Sequence, residues 1–597
     1  MKTANGIPQR LSERFPREIL IVFVLVALLY SLFLPRSFFE FDETLFARAV
    51  LDYQPWQHHP PPPGYPLFIA VAKVFNLLFA DPFRSLVILS LISSIAAVLI
   101  LAYAFAAMTG SVRAGALGAG IFYLSPVMLI HGSLPISEPF ALALLAGALL
   151  LFARAVEGEE IRTAVAFGVV AGLTVGARPQ FAILVVPFVL VALGSFRQWR
   201  ARAVVLGGFA AGCLVWLVPF VVILGGVDRF IEFELGQAAY YAAHDAGISR
   251  GGWTFPRIVA RFLVRPWGPL WLAVPVLLLA AAGALSLLRS RLRFALPLLA
   301  AGATYFLFAV ATMDPADGAR YAIPAALTVA FLAGAGMLAA GRNWYGPAIA
   351  AVLAVASLAY SGLFLVERSS GASPPARASA WIRAQVPPDA VILYELPLWP
   401  HATWWLADYR IMKIDEGAPL LVNEPNTPVF IFGNGGSYDR DATIFRWSPS
   451  HAFSKVTRNH YGVITVVELP PNERYRIVRG VYDSERDPDH EWRWVAGMGE
   501  INLPDVDADR LVLRMSLSRT FPRESNAVRV SVNGVPAGVA VLERSRESVV
   551  TFPISDGEQR VRFECADPFV PAQETGGRGD PRSLCFQLLG VEQETVK

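Results

Sequence analysis

Charged residues are scarce in this chain. Asp, Glu, Lys and Arg make up 17% of its 597 residues, whereas soluble domains carry about 25%. Hydrophobic residues reach 54% before the 47 glycines are counted, and one soluble core stops growing near about 250–300 residues. The apolar excess therefore excludes a soluble cytosolic enzyme and a disordered or collagen-like chain, and it indicates a protein embedded in a bilayer.

Neither sign of charge dominates, and cysteine is rare. The 51 basic and 48 acidic residues nearly cancel, so the composition gives no indication of a nucleic-acid partner. Cys213 stands in an apolar run, whereas Cys565 and Cys585 stand in the polar C-terminal part. We predict a disulfide between the latter two, on the condition that this part is extracytoplasmic.

Apolar runs of bilayer-spanning length dominate the first two thirds of the chain. The first run follows several arginines and lacks a small-residue cleavage site, so we predict a retained signal anchor with a cytoplasmic N-terminus. The runs predict about eleven transmembrane helices, at about 19–34, 85–108, 114–131, 138–155, 161–178, 179–195, 203–224, 268–288, 294–312, 321–340 and 347–366.

Short basic clusters agree with this count. They fall in alternate loops, which the positive-inside rule makes cytoplasmic. The agreement holds only if the segment Gly64 to Ala80 does not cross the membrane. This segment contains Lys73 and Asn76, and we predict that it lies at the outer interface as an amphipathic helix. The alternative is that it forms a twelfth span. The arginines are Arg113, Arg154, Arg162, Arg197, Arg200, Arg202, Arg289, Arg291, Arg293 and Arg342.

The odd number of spans predicts that everything after about residue 367 is extracytoplasmic. Residues 1–366 form the membrane module, and the Ser, Gly and Pro content of 367–375 predicts a linker. Three short apolar runs predict strands of a small α/β domain over 376–475. They are Ala390–Tyr394, Pro428–Phe432 and Gly462–Glu468.

Residues 480–597 show a different pattern. Apolar and polar residues alternate in short runs separated by turn signals such as Asn533-Gly534, which predicts a β-sandwich. Trp492 and Trp494 have two interpretations, a sugar-stacking platform that would make the domain carbohydrate-binding, or core aromatics of the first strand. Core packing is the favoured one.

Ionisable residues beside spans are functional candidates because they are costly in a membrane. Those of the first module collect in the predicted outer loops, whereas the cytoplasmic loops are short and no Walker-type nucleotide motif occurs. Carboxylates and arginines at one interface suit group transfer from a lipid phosphate, and they equally suit an ion-pair latch between loops. The candidates are Asp42, Glu43, His58, His59, His131, Glu138, Arg178, Arg257, Arg320 and Tyr321.

The first outer loop carries a recognisable motif. Phe39-Phe-Glu-Phe-Asp42-Glu43, followed by His58-His-Pro-Pro-Pro-Pro-Gly64, resembles the first outer loop of GT-C membrane glycosyltransferases. The resemblance is greatest to the branch of protein O-mannosyltransferases and aminoarabinose–lipid A transferases. Glu138, Arg178-Pro-Gln180 and Arg320-Tyr-Ala-Ile-Pro324 resemble later motifs of that branch, and the resemblance covers roughly residues 10–366.

This resemblance implies a GT-C fold and inverting single displacement from a polyprenyl-phosphate sugar at the outer face of the bacterial cytoplasmic membrane. By position, Asp42 matches the catalytic base, Glu43 and Glu138 match supporting acids, and Arg320 matches a donor-phosphate contact. Arg178, Arg257 and Tyr321 are further candidates for donor binding.

The acceptor remains open between a glycan, a lipid and a protein. His59 stands where the lipid A branch often has Lys, and we place His58 and His59 with the acceptor or supporting groups. The sugar, hexosyl or pentosyl, and a requirement for a divalent cation are open as well.

Two other functions compete with this interpretation. A secondary transporter or flippase of a lipid-linked substrate would use the outer acids for coupling, but such proteins carry ionisable groups near mid-span and internal repeats. A non-catalytic cell-envelope assembly protein would use the β-sandwich as its working part. The presence of Asp42 and Glu43 favours the transferase.

Overall fold

The computed structural model describes most of the chain as two compact units, one ending at Ser373 and one beginning at Pro374. Two predicted cytoplasmic arginines, Arg197 and Arg342, lie outside the described residues. The described residues are 16–158, 160–196, 198–244, 254–339, 345–414, 424, 426–435, 442–447, 462–486, 491–555, 557–574, 580 and 582–596.

The first unit is helical. Its long helices form on uninterrupted apolar runs, and many begin at proline or at a capping side chain such as Asp81, which accepts from the Phe83 and Arg84 backbone N–H groups. The helices are α1 Arg17–Leu32, α2 Phe41–Leu51, α3 Pro66–Phe79, α4 Pro82–Thr109, α5 Val112–Tyr123, α6 Pro126–His131, α7 Glu138–Gly158, α8 Ile161–Ala177, α9 Ala182–Ser195, α10 Trp199–Leu224, α11 Val227–His244, α12 Phe255–Leu263, α13 Leu270–Ser290, α14 Leu292–Thr312, α15 Gly318–Tyr321, α16 Ile323–Ala339 and α17 Tyr345–Ser370.

This unit is a membrane-type core with fewer long spans than predicted. Among the described residues, six helices are long and apolar enough to cross a bilayer, or seven if one bent pair is a single span. The count of eleven is therefore not confirmed. The difference arises partly because α1, α8 and α9 have only 16, 17 and 14 residues. The predicted interface segment contains α3, whose 14 residues would extend about 21 Å at about 1.5 Å per residue.

Two predicted spans are interrupted rather than continuous. The predicted helix over 114–131 stops after Tyr123 and restarts at Pro126, because proline cannot donate to the preceding turn and restricts the residue before it. The predicted span 321–340 divides between α15 and α16, where the helix axis bends by 49°. Both interruptions lie beside the polar residues described below.

The second unit begins with α18 and a five-stranded sheet. β1, β2 and β3 pair in parallel, whereas β5 pairs antiparallel with β3 and β4, giving the order β2-β1-β3-β5-β4. The predicted linker over 367–375 is shorter in the structure, because α17 continues through Ser370 and α18 starts at Pro374. The elements are α18 Pro374–Gln385, β1 Val391–Tyr394, α19 Trp399–Trp405, β2 Arg410–Lys413, β3 Val429–Asn434, β4 Thr443–Arg446 and β5 Val463–Glu468.

The remaining strands form an eight-stranded antiparallel sheet in the described residues. Its order is β10-β9-β12-β7-β13-β8-β11, with β6 also paired to β7. The strands are hydrogen-bonded into one sheet around a common apolar core, whereas the sequence predicts a β-sandwich. The elements are β6 Arg476–Arg486, β7 Glu491–Leu503, β8 Arg510–Ser516, β9 Ser525–Val532, β10 Val535–Glu543, β11 Glu547–Pro553, β12 Gln559–Cys565, α20 Pro571–Glu574 and β13 Phe586–Glu594.

Alternation along these strands determines which side chains enter the core. Val528, Val530 and Val532 are buried on β9 at every second position, as a strand with one core face requires. Trp494 is buried in this core and Trp492 packs against it, which supports core packing over a sugar-stacking platform for both tryptophans.

The predicted disulfide is present in the second unit. Cys565 at the end of β12 and Cys585 just before β13 are bonded, and their Cα atoms lie 6.2 Å apart. The bond joins neighbouring parts of the same core, because Cys585 is completely buried there.

Candidate active site

Arg320 lies at the centre of a buried ion-pair cluster in the first unit. Its Nη2 lies 2.9 Å from Asp42 Oδ2, and its Nε donates to Glu138 Oε1 at 2.7 Å. Nη1 lies 3.6 Å from Asp317 Oδ2, one turn earlier in the chain. One guanidinium on α15 therefore joins the start of α2, the start of α7 and its own turn.

A second arginine shares the same glutamate. Arg178 follows the last residue of α8, and its Nη1 lies 3.1 Å from Glu138 Oε1 and donates to Ser137 Oγ at 2.8 Å. Its guanidinium carbon lies 5.7 Å from the centre of the Tyr65 ring. Because the side chains of Glu138, Arg178 and Arg320 are 2–4% exposed, each charge depends on its partners for compensation.

Asp42 and Glu43 are consecutive on α2 but have different surroundings. Successive helical residues point about 100° apart, so Asp42 faces Arg320 with 24% of its side chain exposed while Glu43 is completely buried. Glu43 Oε2 accepts the Phe39 backbone N–H at 2.6 Å, and burial raises the pKa of Glu43 to about 8. Asp42 is therefore the carboxylate that a substrate can reach, and Glu43 holds the entry to α2.

Side chains from other helices hold the segment between α6 and α7. Arg368 Nη1 donates to the Ile130 carbonyl at 2.5 Å and its Nη2 donates to Ser133 Oγ at 3.0 Å. Ser94 Oγ donates to the Gly132 carbonyl at 2.6 Å. Irregular backbone at membrane depth is tolerated only where protein groups satisfy it, and these bonds fix the segment that leads into Glu138.

Gly132 is required in this segment for reasons of space. A Cβ at this position would lie 2.4 Å from the Tyr30 ring, a separation that real Cβ atoms do not reach. The Tyr30 hydroxyl donates to the Met128 carbonyl at 2.8 Å, so the ring cannot move away without breaking that bond. The glycine therefore permits the close approach of α1 that holds the segment.

The predicted histidines lie at different depths. His58 has an exposed surface, but its ring is partly desolvated by the residues around it, which lowers its pKa, and the Asp42 charge opposes this change. Burial and then the Arg48 charge lower the pKa of His59. His131 is buried, with Nδ1 2.9 Å from the Val127 carbonyl oxygen.

The structure places the other predicted residues less centrally. Tyr321 follows Arg320, whose guanidinium carbon lies 6.0 Å from its ring centre. Arg257 is exposed on α12, and within the described ranges no ion pair joins it to the cluster. The residues described also contain no group of three or more His, Cys, Asp or Glu side chains placed to hold a metal ion.

Sequence reasoning assigned no role to two members of this region. Asp317 lies in the last outer loop without a recognisable motif around it. Arg368 was missed, although a signal exists, since an arginine at the predicted outer end of the last span departs from the positive-inside pattern. Such a departure marks a basic residue retained for a local contact.

A cavity of about 660 Å³ lies beside the segments that carry these residues. It is bounded by Pro63 after the first loop, by Pro179 and Gln180 after Arg178, and by Met313 at the end of α14. Its wall is mostly apolar, with Glu234 of α11 among its few polar side chains. Burial raises the pKa of Glu234 to about 7.

Residues 58–223 match the profile of the dolichyl-phosphate-mannose-protein mannosyltransferase family. The predicted resemblance to GT-C glycosyltransferases is thereby confirmed. Within this GT-C-like unit the matched segment includes His58, His59, Glu138 and Arg178, but it begins after Asp42 and ends before Arg320. The roles of those two residues rest on their geometry and on the loop motif.

Several solved structures are similar to the chain at low identity, whereas no curated protein matches its sequence. ArnT from Cupriavidus metallidurans bound to undecaprenyl phosphate is 14% identical over 75% of this chain and 97% of its own, with a TM-score of 0.48. The archaeal oligosaccharyltransferase AglB from Archaeoglobus fulgidus is 10% identical over 92% and 95%, with a TM-score of 0.45. The arabinofuranosyltransferase AftD from Mycobacteria is 12% identical over 98% and 59%, also with a TM-score of 0.45.

Proposed function

We propose that this protein transfers a sugar from a polyprenyl-phosphate donor to an acceptor at the outer face of the bacterial cytoplasmic membrane. The observation that carries the proposal is the contact between Asp42 and Arg320, a partly exposed carboxylate 2.9 Å from a buried guanidinium. A base for the acceptor and a cation for the leaving phosphate are thus within reach of one donor sugar, and in a single displacement they act on opposite faces of its anomeric carbon once the phosphate has separated them.

The reaction follows from an exchange of partners at Arg320. The donor phosphate approaches Arg320 and competes with Asp42 for Nη2, which frees an Asp42 oxygen. The acceptor hydroxyl or amine attacks the anomeric carbon from the opposite side, and its proton passes to Asp42. The bond between the anomeric carbon and the phosphate oxygen breaks, and the polyprenyl phosphate leaves with that electron pair, so the anomeric configuration inverts.

Glu138 and Arg178 act as supports in this scheme. Glu138 holds Arg320 in place through a 2.7 Å bond, and Arg178 shares its charge from the other side. Because Arg178 is bound to both Glu138 and Ser137, its part in donor binding is indirect. Arg257 and Tyr321 are the proposed further contacts for the donor headgroup, and His58 and His59 are neutral hydrogen-bonding groups for the acceptor.

The apolar cavity beside the site suits the donor lipid. Its wall includes Ile183, Ala238, Phe308 and Met313, which offer an isoprenoid chain apolar contact without charged neighbours on most sides. The cavity also borders Pro179, which is adjacent to Arg178. A lipid chain in this cavity would therefore place its phosphate close to the ion-pair cluster.

The orientation proposed is the one that the basic loops predict, with eleven spans, a cytoplasmic N-terminus and an extracytoplasmic second unit. The disulfide between Cys565 and Cys585 supports it, since disulfides persist in oxidising compartments. Both extracytoplasmic parts, residues 376–475 and 480–597, are proposed to serve a glycan, lipid or protein acceptor. A reporter fused after Lys597 should be active only outside the cytoplasm; cytoplasmic activity would contradict the orientation.

The function is tested by transfer from defined donors. Purified full-length protein is incubated with a panel of radiolabelled polyprenyl-phosphate sugars and bacterial membranes, with and without added Mg²⁺. Label should move from one donor to membrane material with release of polyprenyl phosphate. Absence of transfer from every donor, together with movement of intact donor across proteoliposomes, would replace the transferase by the flippase.

A further inference from the structure

The end of α17 is bonded to the chain that precedes α2. Arg368 Nη2 donates to the Phe33 carbonyl at 2.9 Å, and Arg36 Nε donates to the Ser369 carbonyl at 2.7 Å. The Ser373 backbone N–H donates to Ser37 Oγ at 2.8 Å. Three hydrogen bonds therefore fix residues 33–37, a few residues before Asp42 and Glu43.

Arg368 also reaches the segment that leads into Glu138. Its Nη1 donates to the Ile130 carbonyl, and Nη2, which also bonds Phe33, donates to Ser133 Oγ. The side chain is 2% exposed, so its charge is withdrawn from water and must be compensated nearby. Within the described residues, the hydrogen bonds of Arg368 go to the neutral oxygens of Phe33, Ile130 and Ser133, which leaves the compensation to more distant charges.

Glu43 is the carboxyl group placed to supply this compensation, which it does once it is ionised, above its pKa of about 8. It is buried, its Oε2 accepts the Phe39 N–H, and its Oε1 has no hydrogen-bond partner among the described residues. Burial raises the pKa of Glu43, the Phe39 and Glu40 backbone bonds lower it, and the charges of Arg368 and Arg320 lower it further. Those two guanidiniums, from α17 and α15, are the charged groups that face Glu43.

We propose that Arg368 is a positioning residue for the segment 33–43, which carries Asp42. It holds the residues before α2 and the segment before α7 in one arrangement, and its charge acts on Glu43, so that the neighbouring Asp42 is presented to Arg320. The role of Arg368 in turnover rests on the proposed glycosyltransferase function. Its coupling to Glu43 is a property of the fold and can be tested without any substrate.

The test is a double-mutant cycle on the full-length protein in detergent. Reversible unfolding is measured at pH 6 and pH 9.5 for the wild type, Arg368→Gln, Glu43→Gln and the double variant. Glu43 has a pKa of about 8 in the folded protein and about 4.3 in the unfolded chain. The folded protein therefore gains stability from neutral Glu43, fully below about pH 4.3, and loses this gain as the pH rises through about 8. In Arg368→Gln the pKa of Glu43 in the folded protein is higher still, because the Arg368 charge that lowered it is gone. The variant therefore goes on losing folding stability to a higher pH than the wild type does.

Arg368→Gln should therefore cost more stability at pH 9.5 than at pH 6. The extra cost is about tenfold in the unfolding equilibrium constant for each unit by which the pKa of Glu43 rises. In the Glu43→Gln background the cost should be the same at both pH values. An equal cost at both pH values in both backgrounds would overturn the coupling and leave Arg368 with hydrogen bonding alone.

Arg368→Lys separates charge from hydrogen bonding. Lysine keeps the positive charge but cannot donate in two directions from a planar fork, so its pH dependence should follow the wild type at lower stability. If Arg368→Gln does not fold, Arg368→Lys provides the test in its place. A pH dependence of stability in Arg368→Lys that departs from that of the wild type would contradict the proposal.

Turnover provides the second readout. With a donor that the wild type uses, Arg368→Gln should lower kcat at least tenfold while the KM for the donor stays within about twofold, because Arg368 does not touch the donor. A raised KM with unchanged kcat would make Arg368 a donor contact and overturn the positioning role. If the wild type uses no donor, the proposed function fails, and the unfolding cycle still decides the coupling.

Discussion

Both units contain a buried glutamate held between two arginines, and the two sites differ in how far those arginines are exposed to water. Glu138 lies between Arg178 and Arg320, whose side chains are 3% and 4% exposed. In the eight-stranded sheet Glu500 pairs with Arg479 and Arg560, whose side chains are 55% and 62% exposed. Both glutamates are buried, Glu138 at 2% and Glu500 at 3% exposed, so the difference is that the arginines are desolvated in one unit and solvated in the other.

The comparison teaches that burial, rather than pairing, gives such a cluster its significance. The loss of one partner from a buried pair leaves an uncompensated charge, whereas water replaces the lost partner of an exposed arginine. Fixed charges in a dry site also stabilise developing charge far more than charges in water do. Of the two clusters, the Glu138 cluster is therefore the one whose arginines are desolvated, as stabilisation of developing charge in a dry site requires.

The largest expected effect is the loss of turnover when Asp42, the partly exposed member of the buried cluster, is replaced. Asp42→Asn keeps size and hydrogen bonding but removes the basic oxygen, so transfer should fall about 10²–10⁴-fold with donor binding nearly unchanged. Single-turnover transfer and donor titration measure both quantities. Asp52→Asn is the matched control, since Asp52 is an exposed acid that follows α2, and it should retain activity. If Asp42→Asn is active while Glu43→Gln or Glu138→Gln is inactive, the catalytic base is that other acid and not Asp42.

The next effect is on the stability of the first unit. Arg320→Met removes the cation between Asp42, Glu138 and Asp317, so the free energy of unfolding should fall by about 3–5 kcal/mol. Denaturant titration followed by tryptophan fluorescence in detergent measures this fall. A loss below about 1 kcal/mol would mean that water reaches the cluster and would remove its difference from the Glu500 site.

Reduction of the disulfide should affect the second unit alone. The bond closes a loop with a sequence separation of 20, which contributes about 3 kcal/mol in the chain-entropy model. Cys565→Ser with Cys585→Ser should lower the unfolding midpoint of residues 480–597 and leave that of the membrane unit unchanged. Free thiols at both positions in protein isolated without reductant would refute the bond.

The smallest effect belongs to the exposed counterpart. Arg560→Ala removes one of the two arginines from Glu500, and we expect a loss of only about 0–1 kcal/mol because Arg479 and water remain. The same unfolding assay measures it. A loss as large as that of Arg320→Met would show that pairing alone determines the energy and would break the comparison.

Local patterns predicted most of the elements correctly in type. The predicted strands Ala390–Tyr394, Pro428–Phe432 and Gly462–Glu468 correspond to β1, β3 and β5, because short β-rich runs between turn residues have few alternatives. The motif around Asp42 and Glu43 located the acidic pair. The breaks at Ser125-Pro126 and between α15 and α16 were missed, since hydropathy averages over a window and does not resolve a local bend.

The candidate site was predicted residue by residue but not as an arrangement. Glu138 and Arg320 are separated by 182 positions, and no periodicity connects them. The sequence suggested Arg178 and Arg320 as donor-binding residues, with Arg320 as the phosphate contact; the structure shows that each is already paired with Glu138. Arg368 was outside every motif, so only its contacts revealed it.

By itself, the sequence determined that the chain enters a bilayer, that its C-terminal part is β-rich, and that acids and arginines collect in the loops of the first unit. These properties follow from composition and local periodicity, which act over a few residues. Tertiary structure decided which charges are buried, that Asp42 and not Glu43 remains accessible, and that Arg368 bonds both the chain before α2 and the segment before α7. Burial and distance between remote segments arise only from packing, because desolvation of a side chain depends on every element around it.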